Sequence, residues 1–167
     1  AIGQLMARLL SKAFDVSVLG LDLDAARASS LNDFGRGYSN AAAFSQTARE
    51  ATNGRGLDAL ILTAGSPRLA ADMLSLVRDG GALNVFASFH PDPVMPLDLN
   101  QIYHRELAII SSYSPALEDL HEALELIVSG RVDVAYADQR AYGLSDFDAA
   151  VQDVRARRVT KAILVPL

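Results

Sequence analysis

With 167 residues, half of them hydrophobic and about a fifth charged, the chain is long enough for one domain with a real core. A net charge of −5 and the lack of any long Lys/Arg run exclude an electrostatic footprint for nucleic acid, and RARR at 155–158 reads as a solvated helix end. Zero cysteines exclude disulfides, thiolate zinc sites and cysteine nucleophiles; with no apolar run of roughly 18 residues and no signal peptide expected, the reading is a cytoplasmic chain without a membrane partner.

Residues 4–14, QLMARLLSKAF, put Leu5, Met6, Leu9, Leu10 and Ala13 on one stripe, which predicts a helix. VSVLGL at 16–21 is a short apolar run with two valines and predicts a strand buried on both faces. Asp24 is the expected N-cap of the next helix, over 25–33, which stops at Phe34-Gly35. Residues 37–40 form a short edge strand, and 41–52 a helix closed by NGRG at 53–56. ALILTA at 59–64 predicts a second buried strand. Ser66-Pro67 opens a helix with an N-cap followed by proline at the first position, and Asp79-Gly80-Gly81 ends it. LNVFASF at 83–89 predicts a third strand and, after a proline-punctuated loop over 90–96, LAIIS at 107–111 a fourth. Pro115 opens a long helix whose Leu117, Leu120, Ala123, Leu124, Ile127 and Val128 line one face, ended by Ser129-Gly130. A helix over 145–157 and a last strand, KAILVPL, complete the chain.

Strands alternating with helices every 20–25 residues or so predict an α/β fold with a doubly wound parallel sheet. The strands at 16–21, 59–64, 83–89 and 107–111 are expected in one sheet, with the position beside 16–21 empty or filled by another segment. In such a sheet the phosphate-binding turn follows the first strand. Its third glycine permits close helix–strand packing, and an acidic residue about 20 positions on accepts hydrogen bonds from an adenosine ribose. Gly3 stands where the third glycine belongs, and Asp22 follows it at that spacing, at the end of the next strand. Exposed N–H groups at the helix start would face a pyrophosphate. Taken alone, Gly3 also reads as a flexible terminus, and Asp22 as a turn residue beside the better cap, Asp24. The spacing favours a Rossmann-type dinucleotide unit whose first strand and earlier glycines are absent from this chain.

The blocks IGQLMARLLSKAF, LGLDLDAARASSL, GRGLDALILTAGSP, LVRDGGALNVFASF, LDLNQIYHRELAIISSYSP and EALELIVSGRVDV resemble, in order and spacing, the medium-chain dehydrogenase/reductase family. The nearest flavour is its zinc-dependent alcohol and polyol branch, the sorbitol- and threonine-dehydrogenase-like enzymes. The resemblance implies that Gly3 is the last glycine of the phosphate turn and that Asp22 binds the ribose hydroxyls. It implies that Leu23 lies beside the adenine, that Arg27 lies near the ribose edge, and that Thr63, Ala64 and Gly65 run beneath the cofactor. Ala87, Ser88 and Phe89 would approach the nicotinamide, and Lys161 would match a basic position near the pyrophosphate. The implied cofactor is NAD, with zinc only in a catalytic domain expected N-terminal to residue 1. Residues 1–111 would then be the NAD-binding domain, and 112–167 a helix and strand segment packed on that catalytic domain. ADQRAYGLSD departs from the family where a histidine and a proline are usual; Arg140 and Gly143 stand there instead.

His90, His104 and His121 share no metal-ligand spacing, and His104-Arg105-Glu106 and Asp98 read as loop polarity. No Ser/His/Asp arrangement follows from spacing, so no catalytic residue and no metal ligand is named. The function expected is the cofactor-binding portion of an NAD-dependent oxidoreductase acting on a small alcohol or polyol. The alternatives are a non-catalytic dinucleotide-binding or assembly fragment and a zinc-free quinone reductase of the same superfamily. The family's assembly implies a homodimer or homotetramer, joined through the edge strand at LAIIS.

Overall fold

A computed structural model describes residues 2–64, 67–88, 97–135 and 139–166. Helix α1 (Ile2–Arg8) runs on into a π-helical turn (Leu9–Ala13) and leads to β1 (Leu19–Leu21), α2 (Ala25–Ser29) and β2 (Arg36–Tyr38). Helix α3 (Ala41–Ala51), β3 (Leu57–Leu62), α4 (Pro67–Leu74) and β4 (Val77–Val85) follow. Then come α5 (Leu99–His104), β5 (Ala108–Ser111), α6 (Leu117–Val128), β6 (Arg140–Gly143), α7 (Phe147–Arg155) and β7 (Ala162–Val165).

Every strand pair among the described residues is parallel, as the alternation predicts, but among them the single sheet is not observed. Among the described residues, hydrogen bonding forms three sheets, β1–β2, β3–β4–β5 and β6–β7. The physical reason is that β1 and β3 each pair on one side only, and no described strand lies between them. Side chains join the two units instead. Leu19, Leu21 and Tyr38 from the first and Leu57 and Leu60 from the second pack around Phe44, Ala48, Met73 and Leu76. A second core gathers Leu62, Ala70, Leu74, Val77, Leu83 and Leu107 around β3, β4 and α4.

Capping explains where several helices start. Asp24 accepts hydrogen bonds from Ala26 and Arg27 N–H, as expected, and Asn40 does the same for Ala42 and Ala43. Asp98, read from sequence as loop polarity, caps α5 by accepting from Asn100 and Gln101 N–H, and His104 closes that helix instead of lying in a loop. The strand at 16–21 shortens to 19–21, the strand at 59–64 shifts to 57–62, and the helix at 25–33 ends at Ser29. β5 is exposed along its length and β1 only half-buried, so neither is buried on both faces.

The largest correction is at Asp79-Gly80-Gly81. These residues do not end a helix; α4 stops at Leu74, and they lie inside β4. Val77 pairs with Leu57 and Ala82 with Ala59, so β4 carries an outward bulge of extra residues between two short steps of β3. Gly80 takes a φ of 66° there, a conformation in which a side chain is strained.

The stripe on α6 forms as predicted, but Leu117, Leu120, Leu124, Ile127 and Val128 are all exposed. The segment after it ties back to α1. Arg8 donates to the carbonyls of Asp133 (3.0 Å) and Ala135, and Arg131 donates to the Ala13 carbonyl at 2.7 Å. β6, which the sequence does not announce, pairs with β7 under α7. There Tyr142 donates its hydroxyl proton to Asp153 at 2.7 Å, and Arg158 and Arg140 flank the same carboxylate. The Tyr142 hydroxyl, with the two arginines, holds the Asp153 carboxyl below its ordinary value.

Candidate functional site

Parallel strands point their carboxyl ends the same way, and ligands of open α/β sheets bind outside those ends. Asp22 follows β1, Ser39 follows β2, Thr63 and Ala64 follow β3, and Phe86 to Ser88 follow β4. Most of the residues singled out from the sequence therefore fall on the carboxyl ends of their strands.

Asp22 is fixed from three sides. Its N–H donates to the Tyr38 carbonyl at 3.0 Å, which ties the end of β1 to β2. Its Oδ1 accepts the Asp24 N–H at 2.9 Å, and its Oδ2 faces the Arg27 guanidinium at 3.9 Å. Asp24 holds the next position. One carboxylate oxygen caps α2 and the other lies 4.0 Å from Arg27 Nε. The Arg27 N–H it accepts, more than any other contact, keeps the Asp24 carboxyl below its ordinary value; the positive charges of Arg27 and Arg157 act in the same direction. Arg157 sits in the turn after α7, with a φ of 57°. Its charge acting on Asp24 is the part of this corner that the sequence did not announce. Leu23, between the two aspartates in sequence, is 80% exposed and presents bare apolar surface.

Gly3 lies in the first turn of α1, where a Cβ would meet Thr63 Oγ1 at 3.1 Å. The helix start thus packs on the end of β3, the close approach that the third glycine of a dinucleotide turn provides. Thr63 is half-buried and Ala64 exposed. The Leu62 carbonyl accepts from both Phe86 N–H (3.1 Å) and Ala87 N–H (2.8 Å), which binds the ends of β3 and β4 together. Ala87 is half-buried and Ser88 exposed. Gly65 and Phe89 lie outside the described residues. Lys161 precedes β7, with its side chain exposed and its carbonyl accepting the Arg140 N–H at 3.0 Å. Among the described residues, no hydrogen bond or ion pair links it to Asp22, Thr63 or Ala87.

The structure therefore gathers two groups, Asp22, Leu23 and Arg27 at one corner and Gly3 with Thr63 at the other, with Ala64, Ala87 and Ser88 continuing along the strand ends. Chemically, a half-exposed carboxylate beside an exposed leucine can accept hydrogen bonds from vicinal hydroxyls while an aromatic base lies on the leucine. Among the described residues, no group of three or more His, Asp or Glu side chains is placed to hold a metal, and no helix is long and apolar enough to cross a membrane.

The zinc-binding dehydrogenase family profile matches residues 1–129. Among solved structures, the chain is similar to alcohol dehydrogenase TADH from Thermus sp. ATN1, with 20% identity over 100% of this chain and 49% of that one, and a TM-score of 0.85. It is also similar to a quinone oxidoreductase from Pseudomonas syringae pv. tomato, with 20% identity over 99% of this chain and 53% of that one, TM-score 0.73. A third is mycobacterial Rv1454c complexed with NADPH, with 22% identity over 99% and 53% of the two chains, TM-score 0.72. No curated protein sequence matches. The chain spans about half the length of the structures it matches, and at these identities the likeness speaks for the fold. On the family profile, with the Rossmann-like parallel fold beneath it, the chain belongs to the zinc-binding dehydrogenase family.

Proposed function

We propose that this chain is the cofactor-binding portion of an oxidoreductase that moves a hydride between NAD and a small alcohol or polyol and its ketone or aldehyde. The observation that carries this reading is the Asp22 corner. Asp22, tied to β2 by its backbone N–H and with its Oδ1 held by the Asp24 N–H, stands next to exposed Leu23 and offers an acceptor and an apolar surface for an adenosine. The residues fit the group: Asp22 would hold the ribose hydroxyls, Leu23 the adenine, and Gly3 and Thr63 would let the pyrophosphate lie close to α1. When bound, the dinucleotide supplies the hydride chemistry, and the protein's part is to orient it and exclude competing partners. Zinc belongs to the catalytic half of such an enzyme, where a metal would polarise the substrate oxygen. The exposed apolar face of α6 suits residues 112–167 to packing on that half. The likeness to a quinone oxidoreductase supports a second reading, a zinc-free reductase using the same cofactor edge.

Asp22 also sets the expected cofactor preference. Its carboxylate accepts from two free hydroxyls but repels a 2′-phosphate, and Arg27 at 3.9 Å offsets only part of that repulsion. A charge-assisted contact of this kind is worth about 1–3 kcal/mol, so the full-length protein should favour NAD over NADP by tenfold or more, to order of magnitude. Asp22→Ala should narrow the gap mainly by admitting NADP. Steady-state kinetics with both cofactors test this; equal use of the two by the unaltered protein would mean that Asp22 is only a turn residue.

The assembly proposed is a homodimer or homotetramer through β5. That strand is exposed, carries Ile109 and Ile110, and has no charge between Ala108 and Ser111 to blunt its edge. Light scattering at high concentration should show an oligomer, and a strict monomer would refute this interface.

A further inference from the structure

We propose that the amino edge of the β3–β4–β5 sheet carries a second ligand site, an arginine-lined cleft that binds a multiply charged phosphate-type anion. It lies at the opposite end of β3 and β4 from Thr63 and Ala87, and it stands independently of the cofactor reading. The cleft has a volume of about 710 Å³, within the size range of small-molecule sites.

Four arginines from separate parts of the chain meet around it: Arg49 from the last turn of α3, Arg55 before β3, Arg78 in β4 and Arg105 after α5. Two carboxylates answer them. Asp58 accepts both terminal nitrogens of Arg55, at 2.6 and 3.0 Å, and Arg78 Nε at 2.7 Å; Asp79 accepts Arg105 Nε at 2.8 Å. Four guanidiniums against two carboxylates leave a surplus of two positive charges. Arg49 has no side-chain partner among the described residues.

The paired arginines are also held in place. Arg78 donates to the Asp79 carbonyl at 2.8 Å, and Arg105 donates to the Val77 carbonyl. The β4 bulge brings Arg78 and Asp79 to the same cleft. Each guanidinium has five N–H donors, so the pairs leave donors over. The unpaired Arg49 fork can take two phosphate oxygens at once, and the N–H donors left over on the three fixed guanidiniums favour an anion with several phosphates over a lone carboxylate. Asp58 is kept well below the ordinary carboxylate range by Arg55 and Arg78, so the charge balance holds at neutral pH.

The test is calorimetry on the full-length protein at low salt, titrating inorganic tripolyphosphate and, separately, ATP. Saturable one-to-one binding of tripolyphosphate is expected. It should weaken by about tenfold or more in Arg49→Glu, be largely kept in Arg49→Lys, and persist with NADH at saturation. Equal affinity for the two anions would assign the site to the polyphosphate alone, whereas tighter ATP would assign it to a nucleotide; either supports the site. Arg49 is exposed and unpaired, so its variants should fold, and their NADH titration should match that of the unaltered protein. Absence of saturable tripolyphosphate binding up to about 1 mM, an Arg49→Glu variant that binds as before, or displacement of the anion by NADH would overturn the proposal.

Discussion

Gly37→Ala is expected to destabilise the protein by about 3 kcal/mol or more, at the upper end of what overpacking costs. A Cβ on Gly37 would overlap the Ala28 carbonyl oxygen and lie 2.6 Å from the carbonyl carbon. Both partners are backbone, so no side chain can rotate away. β2 is held by its pairing with β1 and by the Gly37 N–H donated to Asn32 Oδ1 at 2.9 Å, and α2 is held by its Asp24 cap and the buried Ala28. Relief would push α2 off β2. That would displace Asp24 and Arg27 relative to Asp22, so the variant should lose dinucleotide affinity as well as stability. Urea unfolding read by circular dichroism measures the first effect. A midpoint within a few tenths of a molar of the unaltered protein would show that the helix and strand separate freely.

The second large effect is expected at Leu83. It is 1% exposed in the middle strand of β3–β4–β5, between Leu60 and Ile109, and packs with Leu62, Leu74 and Val77. Leu83→Ala removes buried methyl groups and leaves a cavity that two flanking strands prevent from closing, a loss of about 2–5 kcal/mol. With a urea m-value of about 1–3 kcal/mol per molar, the midpoint should fall by about a molar or more. A loss under about 1 kcal/mol would mean that this sheet is not the stability core of the described chain.

The elements that the sequence announces clearly are those whose cause is local. ALILTA marks its strand by an unbroken apolar run, and Asp24 caps α2 through its own side chain, which accepts from the N–H groups two and three residues on. Asp98 caps α5 by the same device, but LNQIYH is too short and too polar to show a helical stripe. Asp79-Gly80-Gly81 resembles a helix stop because glycine serves both helix ends and strand bulges, and only the pairing with β3 distinguishes them. The separation of β1–β2 from β3–β4–β5 depends on which strands are neighbours, and no local pattern encodes that. At the site, the spacing of Gly3 and Asp22 was legible because it reflects one helix and one strand between two turns. The charge of Arg157 acting on Asp24, and the grouping of Arg49, Arg55, Arg78 and Arg105 at one cleft, join residues remote in sequence.

The central claim, that a nicotinamide dinucleotide lies across the carboxyl ends of β1, β3 and β4, is tested most directly by amide hydrogen exchange of the full-length protein with and without NAD. The account predicts slowed exchange at residues 19–27, 60–64 and 84–88, while 53–58 and 78–81 at the amino edge stay unchanged. Unaltered exchange at 19–27, or protection confined to the amino edge, would contradict it.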